Sequence, residues 1–443
     1  MLGATRAWEC RCVRQLYPVW YATFTILCCW GRRALGWLLA FRQDNTRPIF
    51  YTNRYHTLWY NGVVTGNNPY HFGTPVEGEF FVGRESEVNT VVDRVSNGIN
   101  VVLLSPRRYG KTSVLLRAET QLATQKAAMV HINVLRHPSY AAFASALATN
   151  AFNIRGGAWH RARQATFEFV KRLRVRPVIT MEDDGKLKLS FDPGLAGHDA
   201  SQVLSDILGL LAAERPHRPA ALILDEFQAI IDLDAHLPAI LKGLVDEHPN
   251  VSLVTAGSKR HLMERLYLSR NAPLFNTAEK IALGPIPDRL MATWLVRRAA
   301  HAGKRMTMET AKLIIDVAGP VPDDIQHLAH TVFLSSLTDQ ISAQDVTAGL
   351  GAIAGQLEHV YSEQFSVMSI GQRRVLRLLA ITPVSAPGAA SFVRRAGLAN
   401  PSSVKKALDV LEEAELVVHR DGIWQVADPF IATWLRRDGT KDI

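Results

Sequence analysis

The sequence predicts an α/β protein: a parallel-sheet core, then a helical bundle, then a small unit of three helices and a hairpin. Three observations predict it. The apolar run Val101 to Leu104 reads as a short buried strand and enters Ser105-Pro106-Arg107-Arg108-Tyr109-Gly110-Lys111-Thr112-Ser113, where an apolar-periodic helix opens. A second apolar run, Ala220 to Leu224, ends in Asp225-Glu226 about 110 residues later. From Ser369 onward the pattern is helix, Pro/Gly/Ala turn, short helix, helix, then Val417 to Val426 with the hairpin signal Asp421-Gly422 at its centre.

At 443 residues the chain suits about three domains, and 47 % apolar with 21 % charged residues supports an ordinary core. The net charge of +9 is unevenly placed: residues 1–60 carry eight arginines against Glu9 and Asp44, leaving +3 for the remaining 383 residues. Total charge therefore says little about a nucleic-acid partner. All four cysteines (Cys10, Cys12, Cys28 and Cys29) and five of nine tryptophans lie in the first 59 residues. The cysteine-free body excludes a disulfide framework and suits a reducing cytoplasm, and the cysteine spacing fits no zinc site.

Residues 1–66 read as an atypical extension, either sequence foreign to the native protein or a disordered segment, with Val63 or Val64 as an alternative valine-coded start. The competing reading is a membrane anchor over Gln15 to Gly31. That stretch is uncharged, but at 17 residues it is short for a bilayer and is followed by Arg32-Arg33. A membrane partner is not expected.

The core reads in order as a turn-rich entry at Asn68, a helix over 86–95, the 101–104 strand, a strand over 128–134 and a helix over 140–153. Arg163, Lys171, Arg172 and Arg174 read as the solvated face of a surface helix. A hairpin turning at Asp184-Gly185 and a helix over 200–214 lead to the 220–226 strand, then to a strand over 251–255 that runs into Ser258.

Strand, loop and helix N-terminus in that order form a phosphate cradle, because the first helical turn has free N–H groups and a positive dipole end. Gly110 lets the backbone approach the phosphates, Lys111 reaches the β/γ oxygens and Thr112 offers a hydroxyl to Mg²⁺. The P-loop pattern G-x-x-x-x-G-K-[ST] is met except that Ser105 stands where the first glycine belongs. Asp225, at the strand end where ligands gather in parallel sheets, is the second Mg²⁺ contact, and Glu226 the general base for an attacking water.

Four helical stretches, 287–302, 307–318, 322–338 and 343–366, form the expected lid. Three helices and a hairpin after it make a winged helix. Ser402, Ser403, Lys405 and Lys406 open its recognition helix and are the candidate DNA contacts. Against this, residues 366–443 hold eleven Lys/Arg and eight Asp/Glu, thin for DNA, so a protein-contact or autoinhibitory role stands beside it.

Asn68-Pro69-Tyr70-x-Phe72-Gly73-x-Pro75-Val76, Phe81-x-Gly83-Arg84-Glu85-x-Glu87 and the 105–113 loop together resemble the archaeal-type ATPase family, in its bacterial branch. These are AAA+-like (ASCE) P-loop NTPases. The resemblance runs over about residues 67–437, through Ala272-Pro273-Leu274-Phe275, Gly319 to Gln326, Asp428-Pro429-Phe430 and Trp434. It implies an ATPase core over 67–285, a helical lid over 286–366 and a winged helix over 367–443. It also implies that Gly83 and Arg84 lie beside the adenine, that Ser105 to Ser113 hold the phosphates, and that Ser258 senses the γ-phosphate; Ser258 reads equally as a helix cap. Family members usually carry Gly-Arg where this chain has Asn276-Thr277, so an arginine finger is not expected there. The implied function is a slow Mg²⁺-dependent ATPase switch, with a DNA-binding ATPase, or nucleotide binding without turnover, as alternatives.

Overall fold

The computed structural model describes residues 68–152, 176–181, 187–192, 200–215 and 217–438. The N-terminal extension, the arginine-rich stretch before residue 176 and the Asp184-Gly185 turn lie outside the described residues.

The core runs α1 (Glu85–Ser96), β1 (Val101–Leu104), α2 (Lys111–Thr124), β2 (Ala128–Asn133), α3 (Tyr140–Phe152), the hairpin β3 (Arg176–Met181) and β4 (Leu187–Asp192), and α4 (Ala200–Glu214). It continues with β5 (Ala220–Asp225), α5 (Ile230–Leu233), α6 (Leu237–Glu247), β6 (Ser252–Gly257), α7 (Arg260–Tyr267) and β7 (Glu279–Ala282). Five strands pair in the order β2-β5-β6-β1-β7, all parallel. Every residue of β5 and β6 is buried, as a parallel strand covered on both faces requires. Alternation along β5 divides the packing: Ala221 and Ile223 join the cluster under α1 and α2, whereas Leu222 and Leu224 join the one under α3, α4 and α6. This order leaves β1, β5 and β6 side by side, so the residues after their C-terminal ends (Ser105, Glu226 and Ser258) share one edge.

The lid comprises α8 (Asp288–His301), β8 (Arg305–Met306), α9 (Met308–Ala318), α10 (Pro322–Ser335), β9 (Gln340–Ile341), α11 (Ala343–Gln356) and α12 (Glu358–Ser366). The single helix expected over 343–366 is broken at Leu357, and the one expected over 322–338 stops at Ser335. Capping boxes start α11 (Ser342 with Asp345) and the next helix (Ser369 with Gln372). That helix is α13 (Ile370–Ile381), followed by α14 (Ala390–Arg395), α15 (Pro401–Glu413), β10 (Val417–Arg420), β11 (Ile423–Val426) and α16 (Pro429–Asp438). Asp421 and Gly422 both have positive φ (51° and 78°), the tight turn that the Asp-Gly pair predicts.

Lid and winged helix share one hydrophobic cluster that includes Leu295, Leu328, Ile353, Phe365, Leu379, Leu408 and Trp434. Tyr70 and Val82 belong to it as well, so residues 68–82 form a strap on the lid before the chain enters the core. The Tyr70 hydroxyl donates to Leu295 O (2.7 Å), Asn68 Nδ2 donates to His330 O (3.0 Å), and Arg298 pairs with Glu79 (2.7 Å).

Candidate functional site

Gly110 sits at φ 90°, the left-handed region glycine favours, and no side chain caps α2 behind it. The N–H groups of that first turn are thus left to an anion. Lys111 is 5 % exposed, and its Nζ donates to Ser105 O (3.0 Å), Pro106 O (3.0 Å) and Ser105 Oγ (3.3 Å). Burial pushes its ammonium down to about 8, against the opposing pull of the Glu226 and Asp225 carboxylates. Thr112 Oγ1 donates to Asp225 Oδ2 at 2.7 Å. Asp225 is fully buried, which raises its pKa; the Thr112 hydrogen bond acts the other way. A hydroxyl and a carboxylate are the hard oxygen donors Mg²⁺ takes. No group of three or more His, Cys, Asp or Glu suited to a metal occurs among the described residues.

Glu226 follows β5 in the left-handed region (φ 50°). Its Oε2 accepts from Ser258 Oγ (2.8 Å) and from Gln228 Nε2 (2.6 Å). The helix after β6 starts at Arg260 with Lys259 as its N-cap, so Ser258 does not take the capping position that was its other reading. Sequence reading also passed over Gln228 and Asn133. Asn133 Nδ2 lies 3.5 Å from Asp225 Oδ2. Gln228 stands two residues past the acid pair, a spacing that by itself assigns it no role.

The middle of the loop turns to the C-terminal half of the chain. Arg107 lies 3.7 Å from Glu415, just past α15. Arg108 pairs with Asp324 on α10 and lies 3.8 Å from Asp428 at the start of α16. The Tyr109 hydroxyl accepts from Arg420 Nη2 on the wing (3.0 Å). Burial works against the charge of Arg108, but Asp324, Asp428 and Asp323 outweigh it and hold its proton more tightly. Asp324 is fully buried, and burial raises its pKa well above the carboxylate range despite Arg108.

Gly83 and Arg84 line a cavity of about 470 Å³ with Glu85, Glu87, Gly284 and Leu290. Leu283 N donates to Leu104 O (3.0 Å), which sets this cavity beside the start of the phosphate loop. Arg84 is buried, donates to Gly284 O and pairs with Glu87 at 2.9 Å. Gly83 has φ 68°, and a Cβ there would meet Ile286 at 2.8 Å. Ser402 and Ser403 donate to the cap residue Asn400, and Lys405 and Lys406 are exposed. They lie in the first half of α15, whose far end leads to Glu415, roughly 10–16 Å along the helix axis from its last turn.

Sheet order, loop and acid pair define the fold of a P-loop ATPase with a helical lid and a winged helix. The Walker-type ATPase PABY2304 of Pyrococcus abyssi is similar in structure over 82 % of this chain and 98 % of its own, at 16 % identity and a TM-score of 0.57. The ORC2 protein of Aeropyrum pernix (15 % identity, 81 % and 95 % covered, TM-score 0.47) and the ORC1 protein of the same organism, solved in complex with DNA (13 %, 82 % and 94 %, 0.43), are more distant. The family described as "Probable winged helix domain" matches residues 359–437, which takes in α12 as well. No curated protein matches the chain. The fold and the winged helix fit the archaeal-type ATPase resemblance carried by the motifs.

Proposed function

We propose that this chain binds ATP with Mg²⁺, hydrolyses it slowly, and acts as a switch whose lid and winged helix respond to the nucleotide. The observation that carries the reading is that three consecutive loop residues, Arg107, Arg108 and Tyr109, are latched to Glu415, Asp324, Asp428 and Arg420. In this reading the adenine lies in the cavity at Gly83 and Arg84, and the phosphates lie on the N-terminus of α2. Thr112 and Asp225 would hold the Mg²⁺, which neutralises phosphate charge when bound. Glu226 takes the proton of the attacking water, and Ser258 lies beside it at the γ-phosphate end. A phosphate that draws Lys111 from the carbonyls of Ser105 and Pro106 reshapes the loop bearing the latch.

The test is hydrogen exchange of residues 417–428 in Glu226→Gln, which should bind ATP with parental affinity without turning it over. Saturating ATP should speed exchange there relative to the nucleotide-free protein. Unchanged exchange would sink the switch reading, and parental turnover by the variant would sink Glu226 as base. If parent and variant both bind ATP and neither hydrolyses it, nucleotide binding without turnover is the correct alternative.

A second reading, DNA contact through Ser402, Ser403, Lys405 and Lys406, is favoured by the exposed lysines at the end of α15 away from the latch. Loss of both lysines to alanine should flatten the salt dependence of duplex binding by a slope of roughly 2. A parent that binds no duplex at low salt counts against it.

A further inference from the structure

Gln228 is 5 % exposed on the short 3₁₀ turn Phe227–Ala229 that follows the acid pair, and it bridges two strands of the sheet edge. Its Nε2 donates to Glu226 Oε2 at 2.6 Å and lies 3.4 Å from Ser258 Oγ; its Oε1 accepts from Ser258 N at 3.3 Å. The amide is thus fixed at both ends before it touches the carboxylate. Its amide packs closely on Gly257, where a Cβ would come within 2.7 Å of Gln228 Oε1 and would collide with Met263. Glu226, in turn, receives both of its side-chain donors on Oε2, so Oε1 is the carboxylate oxygen left without a donor among the described residues. A carboxylate gripped by one oxygen presents the other in a fixed direction, as a base that must meet a water at hydrogen-bond distance requires.

We propose that Gln228 is a positioning residue for hydrolysis: it fixes the Glu226 carboxylate through Oε2 and reserves Oε1 for the attacking water. The proposal rests on Glu226 being the base. A neutral amide suits the task, since an ammonium or guanidinium there would compete with Lys111 for the carboxylate and quench it. Ser258 completes the grip, and Gln228 holds Ser258 through its backbone N–H.

Gln228→Met keeps the length and fills the same space without a donor; Gln228→Asn keeps the amide but falls one methylene short of Glu226. Both should lower kcat roughly tenfold, the size expected of one hydrogen bond to a charged group, with KM and ATP affinity unchanged. Rapid mixing with stoichiometric ATP should leave more uncleaved nucleotide on the variants than on the parent. In the Glu226→Gln background neither change should lower the rate further, because the group being positioned is gone. A Gln228→Met protein with parental kcat would overturn the proposal, since that change preserves packing and removes only the hydrogen bonds. If Gln228→Met does not fold, Gln228→Asn with parental kcat overturns it equally. Glu226→Gln separates the two ideas. Parental turnover by that variant overturns the base assignment and this proposal together, whereas an inactive Glu226→Gln beside a fully active Gln228→Met overturns this proposal alone.

Discussion

Lys111 sets nucleotide binding against the stability of the nucleotide-free protein. Its ammonium is held at about 8 by burial, below its ordinary value of 10.5. Between those values the unfolded chain binds the extra proton, so stability of the nucleotide-free protein rises with pH across that window and the penalty is complete below about 8. The penalty is on the order of 3 kcal/mol. Lys111→Met should therefore unfold at a higher temperature than the parent at pH 7, with the gap closing as pH rises toward 10, while ATP affinity is lost. An unfolding midpoint at or below the parent's at pH 7 would show that the carbonyls of Ser105 and Pro106 fully compensate the buried charge. That Lys111, Thr112, Asp225 and Glu226 stand at or just after the ends of β1 and β5 was legible in the sequence, because each stands at a fixed offset from an apolar strand. Gln228 was not, because its role depends on β6 lying beside β5, and strand order is not written in periodicity.

At the scale of the element, the ends of β5 and β6 and the turn after β5 form one packed unit. Gly257 ends β6 against Met263 and Gln228, so Gly257→Ala should cost roughly 1–3 kcal/mol in a denaturant titration and reduce turnover as well. Parental stability in that variant would mean that Met263 swings clear and that the turn holds Gln228 loosely. The pair between Arg108 and Asp324 permits a second test. Arg108→Ala leaves the fully buried Asp324 carboxyl without its hydrogen-bond partner and should cost about 1–3 kcal/mol. Adding Asp324→Asn should restore most of the loss; a double variant no more stable than Arg108→Ala would assign the cost to Asp428 instead. Long elements were readable from their apolar period. The two-residue strands β8 and β9 were not, since two residues carry no period, and the break at Leu357 lies inside a run whose apolar spacing continues through it.

Across the whole molecule, the sequence read lid and winged helix as consecutive units, whereas the structure packs them around one core. Arg437 donates to Gly351 O (2.8 Å), and Trp434 meets Tyr361 and Phe365 at ring separations of 5.9 and 5.7 Å. A chain ending at Ser366 should thus lose the lid as well as the winged helix, and its helical signal should melt early and broadly. A sharp melt at the parental temperature would show that the lid stands by itself. Long-range packing of this kind joins residues through contacts that local pattern does not encode.

The strap has a consequence in time. Asn68 and His330, joined by a hydrogen bond, are 262 residues apart in the chain. At a synthesis rate of about 5–20 residues per second the first of them waits on the order of tens of seconds for the second to be made. During that interval the whole parallel sheet, from β1 to β7, has emerged and can close on its own helices, while Tyr70 has no partner until Leu295 arrives. The order of synthesis thus makes the sheet available first, the lid around a strap already in place next and the winged helix last, so that Asp324 can reach the phosphate loop well before Glu415, Arg420 and Asp428 do.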